Sequence, residues 1–138
     1  MEQRDYMMRQ IEQLGQVLAR MLARLLNIKQ VQDAGLSLDE IKQIYSDELD
    51  LTLDLVLQTP GDKLIELLTS DLKFIDQHLE KMAEILSETS DILDKTTDNE
   101  ASVELREKSI IILEHLQDST GNYSMERINR ITELKKLI

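Results

Sequence analysis

Leu, Ile and Met recur at three- and four-residue steps from Met7 to Ile138, and this helical period is almost unbroken. A helix with one apolar stripe must bury it against another element, and nearly every segment here carries such a stripe. The expected fold class is therefore all-α. The pattern changes only in residues 50–57, where Leu51, Leu53, Leu55 and Leu57 alternate with Thr52, Asp54 and Val56. Alternation is a strand signal, but a lone strand has no edge to pair with. The segment is read as a short helical turn or tight connection whose leucines plug the core.

The period and its interruptions place about six helices joined by short loops, which favour antiparallel hairpins. The first runs from Glu2 to Leu26 or slightly beyond, with Met7, Ile11, Leu14, Leu18, Leu22 and Leu25 as its buried face. Beside that face Gly15, Ala19 and Ala23 form a ridge low enough to admit a neighbouring backbone. Gly35 ends this segment, and Ser37 with Glu40 can cap a second helix carrying Leu38, Ile41, Ile44, Tyr45 and Leu49. Thr59-Pro60-Gly61-Asp62, with Thr59 as cap, Pro60 at the first helical position and Asp62 at the third, starts a short helix that should end near Thr69. A long helix should open at Ser70 or Asp71 and run through Leu93, and Asp98 or Asn99 should cap the next. That one contains Ile110-Ile111-Ile112-Leu113, four apolar residues pointing all round the helix, as in a sandwiched position. Gly121 stops it, and Ser124 caps a last helix striped by Met125, Ile128, Ile131, Leu134 and Ile138. The 138 residues suit one all-helical domain, 1–138, made of N-terminal helices (1–69) and a C-terminal helical half (70–138).

Charge narrows the partners. The net charge of -11 disfavours nucleic acid and anionic lipid, which are bound by neutralising phosphate with Lys and Arg. It is also uneven: residues 1–29 carry a net +2, residues 30–123 a net -15 and residues 124–138 a net +2. The basic ends can pack beside the acidic middle, or the acidic surface can await a basic partner. No run reaches the length and apolarity of a membrane span, and the charged opening is unlike a secretory signal. With no Cys there is neither disulfide nor thiolate, and a cytoplasmic location is the default.

Chemistry has little to work with. Bundle di-metal sites need Glu-x-x-His on two helices, whereas Ile75 precedes His78 and Ile112 precedes His115 by three residues. Two His and no Cys make a poor zinc site. The clusters Asp47-Glu48-Asp50-Asp54 and Asp91-Asp94-Asp98-Glu100 lack the calcium loop's alternation and its Gly at the sixth place, and read as solvated helix faces. No Gly-rich phosphate loop or nucleophile elbow is present, and one Phe with three Tyr cannot build a base-stacking platform. No catalytic, cofactor-binding or metal-binding residue is expected, and no cofactor.

Residues 4–14, Arg4-Asp5-Tyr6-Met7-Met8-Arg9 through Ile11-Glu12-Gln13-Leu14, resemble the RDY-x-MR-x-IEQL opening of a family of uncharacterised bacterial all-helical proteins. The long helix, short loop, long helix and Gly turn of residues 71–138 also resemble tetratricopeptide-like units in size, without their signature residues. The resemblance implies helical hairpins stacked in a tetratricopeptide-like right-handed array. It carries no activity and no functional residue.

The expected role is a helical protein–protein interaction or scaffold module. Its partner is another protein or a second copy, in a homodimer built on apolar character left at the ends of the array: Met8, Val17 and Leu26, and Leu137. Tyr6, Arg9, Gln13, Arg20 and Arg24 share one polar stripe of the first helix, either solvated, salt-bridged or partner-binding. The alternative is a small-molecule-binding regulatory protein or small enzyme using an acidic inter-helix cleft.

Overall fold

The computed structural model describes residues 2–30, 38–95, 99–121 and 124–138, of which 87% are helical and none lies in a strand. Seven α-helices follow in order: α1 (Glu2–Gln30), α2 (Leu38–Glu48), α3 (Leu53–Gln58), α4 (Gly61–Glu66), α5 (Asp76–Leu93), α6 (Asn99–Thr120) and α7 (Met125–Lys136). A π-helical turn, Leu67–Asp71, continues directly from α4. The 50–57 segment supplies α3. The Leu55 N–H donates to the Thr52 hydroxyl at 3.2 Å, capping the helix, and Leu53 and Val56 enter the core one turn apart. Leu55, on the other side of that turn, faces out.

Side-chain pairs fix how the helices run. Arg20 and Arg24 meet Glu48 and Asp47, so α2 returns antiparallel along the C-terminal half of α1. His78 bonds the Ile11 carbonyl while Lys29 meets Glu88 and Asp91, so α1 and α5 are parallel. Ser90 pairs with Ser102, and the Ser109 hydroxyl donates to the Ala83 carbonyl, making α5 and α6 an antiparallel hairpin. Arg127 reaches Glu80 at 2.5 Å, and Leu134 and Leu137 lie beside Glu88 and Asp91, so α7 runs with α5. The α1, α5 and α7 helices thus run in one direction and α2 and α6 in the other, with α5 packed on both α1 and α6 and α7 packed on α6. The short α3 and α4 pack on α6, where the buried Lys108 ammonium donates to the Leu57 carbonyl at 3.2 Å. That carbonyl belongs to the last turn of α3, where a cation is favoured.

One apolar core takes residues from Leu18 of α1 to Leu134 of α7. Tyr45 of α2 is buried in it. Its hydroxyl donates to Thr89 Oγ1 at 2.8 Å, because the Thr89 hydroxyl is itself committed to the Ile85 carbonyl. Burial pushes the Tyr45 hydroxyl pKa well above its ordinary value.

Several local expectations are corrected. The long helix opens at Asp76 rather than at Ser70 or Asp71. The Thr69 hydroxyl donates to the Ile65 carbonyl at 2.8 Å, a back-bond that loosens the helical ladder, and the next turn widens so that the Leu72 N–H reaches Leu67. Lys73 then takes a left-handed conformation (φ 61°) and stops the turn. Thr59 does not cap α4; its hydroxyl turns back to the Leu55 carbonyl, and α4 begins on the Pro60 carbonyl. Ser124 does cap α7, accepting from the Arg127 N–H. The four-residue apolar run is buried on three sides only: Ile111 is 36% exposed, Ile112 0%. The caps expected at Gly35–Ser37 and at Asp98 or Asn99 lie outside the described residues and side chains.

Candidate functional site

The first turns of α1 depart from the predicted stripe. Leu18, Leu22 and Leu25 are buried as expected, joined by Met21, but Ile11 and Leu14 are half-buried and Met7 is 60% exposed. The cause is a mismatch of lengths. At about 1.5 Å per residue the 29 residues of α1 extend about 43 Å, and the 11 of α2 only about 16 Å. The α2 helix ends opposite Arg20, and the chain then turns away into α3. Among the described residues, the α2 helix therefore leaves the Met7–Val17 part of α1 bordered only by the start of α5 and the link that precedes it.

What borders that flank is the link into α5. Met7, Ile11, Leu14 and Val17 on one wall face Leu72, Phe74 and Ile75 on the other, across a groove of roughly 710 Å³. Gln10, Gln13, Thr69 and Lys73 complete its lining, and no acid is among the eleven residues. His78 holds the two walls together. Its Nδ1 accepts from the Ile75 N–H at 3.0 Å, so Nε2 carries the proton and donates to the Ile11 carbonyl, also at 3.0 Å. The ring is buried and edge-on to Phe74. It therefore caps α5 and ties Ile11 of α1 to Ile75 of the link, two residues that line the groove.

Of the polar stripe singled out from sequence, the structure divides two uses. Arg20 and Arg24 are spent inside the chain on Glu48 and Asp47. Tyr6, Arg9 and Gln13 remain exposed, and Gln13 lines the groove. Tyr6 and Arg9 lie on the same flank of α1, a turn or two before Gln13. The far wall was missed. Thr69, Leu72 and Lys73 sit in a segment that sequence assigned to helix, and a Lys at positive φ leaves no sequence signal where Gly would.

A second groove, of roughly 560 Å³, lies between α5 and α7. It is acidic: Glu84, Glu88, Asp91, Glu126 and Glu133 face one Arg130, with Leu134 and Leu137 below. Part of that charge is already matched, since Lys29 bonds Glu88 at 2.9 Å and Asp91 at 3.1 Å. The Glu88 bond leads in raising the Lys29 pKa, against the opposing effect of burial.

Beyond it, where the α5–α6 hairpin closes, Arg106 is 2% exposed and pairs with Asp91 at 2.9 Å and with Asp94. The Arg106 bond holds the Asp94 carboxyl below its ordinary range, assisted by the Ser102 hydroxyl. These pairs clamp three helices together and leave their charges mutually satisfied, which is a structural use. Among the described residues no group of His, Asp and Glu is placed to hold a metal ion. No described helix is long and apolar enough to cross a membrane. No family model, curated protein or solved structure matches the chain.

Proposed function

We propose that the chain is a helical protein–protein interaction or scaffold module without catalysis or cofactor, acting in the cytoplasm, and that it docks its partner in the groove between the N-terminal half of α1 and residues 69–75. The observation that carries this reading is the uncovered flank of α1: an apolar stripe of the kind buried elsewhere in the fold, left open because α2 stops short. Met7 and Ile75, which line it, are exposed, and exposed Tyr6 and Met8 neighbour Met7 in the chain. The tetratricopeptide-like right-handed array belongs to the same proposal. It is supported by the hairpin order α1/α2, α5/α6, then α7, with first helices parallel, and by the likeness of residues 4–14 to the bacterial family's opening. Protein, rather than nucleic acid or membrane, is the partner class that the net charge favours.

A photo-crosslinking residue at Gln13, with one at exposed Ser119 as reference, tests this in cells. The expected result is a defined protein adduct from Gln13 alone, abolished by Ile75→Asp. No adduct at Gln13, or the same adducts from both positions, would overturn the reading. The acidic α5–α7 groove gives the alternative, a cleft for a small cationic ligand, its one supporting observation. A rise in Tm with spermine, absent in E126Q/E133Q, would favour it.

A further inference from the structure

We infer that the occupant of the α1 groove is an acidic amphipathic helix of about three turns, supplied by a different protein; this rests on the docking reading above and adds the chemistry of the partner. Length comes first. The open flank spans Met7 to Val17, about 15 Å of helix rise, and a second helix of ten or eleven residues laid along it would match that length. It would lie along the line that α2 would follow if it were longer. Helix against helix is also how the apolar stripes of α5 and α6 are buried, with anchors at i, i+3, i+4 and i+7.

Charge then selects the kind of helix. The chain holds 27 Asp and Glu against 16 Lys and Arg, yet no carboxylate lines this groove. Its one charged lining residue is Lys73, exposed on the far wall. Arg9, exposed on α1 one turn before Gln13, is a second cation on the same helix as the near wall. Neither makes an ion pair among the described residues, so both charges are open to a partner. Lys73 also holds a left-handed backbone (φ 61°) that Gly adopts without strain, so a side chain is kept where the backbone would be easier without one. Two free cations on the elements that wall an apolar groove complement a helix with Leu-like anchors and Glu or Asp on its shoulders. A second copy fits less well. Two-fold docking of groove on groove would bring Arg9 and Lys73 of one copy to the same interface as those of the other, where like charges repel.

The test is a displayed library of eleven-residue helical peptides, with Leu fixed at positions 1, 4, 5 and 8 and the other positions randomised, selected on the full chain. The expected outcome is enrichment of Asp and Glu beside the Leu anchors. Affinity for an enriched peptide should fall about tenfold or more in R9E/K73E and in Q10E/Q13E, whose exposed substitutions leave the core untouched. Groove-dependent enrichment of basic or uncharged helices would overturn the acidic assignment while leaving docking in place. Enrichment indifferent to all four groove substitutions would overturn the docking reading as well. A groove already filled by a second copy, seen as a dimer in sedimentation that Q10E/Q13E dissociates, would overturn the foreign partner.

Discussion

The Arg106 clamp allows an asymmetric prediction. Replacing Arg106 by Met removes a buried cation, whereas the double change D91N/D94N leaves it in place and takes away its counter-charges. Arg106 donates to Asp91 and Asp94, and its Nε has no partner. Losing charge-assisted bonds costs about 1.5–3 kcal/mol each in gross terms. R106M recovers most of this, because the cation's desolvation penalty and the orphaned Nε disappear with it. Asp91 and Asp94, 31% and 42% exposed, can then turn to water, and Asp91 keeps Lys29. The net cost should be about 0–2 kcal/mol. D91N/D94N strands a cation that is 2% exposed. Breaking a buried pair in this way costs about 3–5 kcal/mol, discounted here to about 2–4 because the carboxylates are partly solvated. Urea denaturation followed by circular dichroism at 222 nm gives both values. With a slope of about 2 kcal/mol/M, the double variant should lose about 1–2 M in midpoint and R106M less than 1 M. Equal losses, or a larger one for R106M, would refute the reasoning. The acid limb gives an independent check. Asp94 titrates below its unfolded value of about 3.9, so its contribution is present above that pH and lost as pH falls through the folded value. The deficit of D94N should therefore shrink below about pH 4.

Three further outcomes are expected. Ile112→Asp should cost several kcal/mol and unfold α6 against α5, while Ile111→Asp should cost about 1 kcal/mol, as thermal melts would show. Gly61→Ala would drive a Cβ into Ile111, and the clash should vanish when Ile111 is Ala, giving a double-mutant coupling of about 1 kcal/mol by urea titration. Lys73→Gly should raise stability by about 1 kcal/mol through relief of the left-handed strain, and should weaken binding of an acidic helical peptide; a loss of stability would contradict the strain.

The sequence spoke most clearly where periodicity alone decides. The helices carrying Leu18, Leu22 and Leu25, or Ile85, Leu86 and Leu93, bury the residues their spacing selects. Helicity at 50–57 was legible because a strand there would have had no partner. The groove was not, for two reasons. Periodicity reports which face of α1 is apolar, and it is silent on how far a partner helix extends along that face. The break before Asp76 is made by a Thr back-bond and a left-handed Lys, neither of which carries the Gly or Pro signal that marked Gly121 and Pro60. The polar stripe was visible as a set, but only the position of α2 separates Arg20 and Arg24, which pair within the chain, from Tyr6, Arg9 and Gln13, which make no ion pair among the described residues.

The most direct test of groove docking is amide chemical-shift mapping on the full chain, titrated with an acidic helical peptide taken from the library. Shifts confined to residues 7–17 and 69–75, with α7 silent, are the expected result. Shifts centred on Glu84, Glu126 and Glu133 would place binding in the α5–α7 groove instead and contradict it.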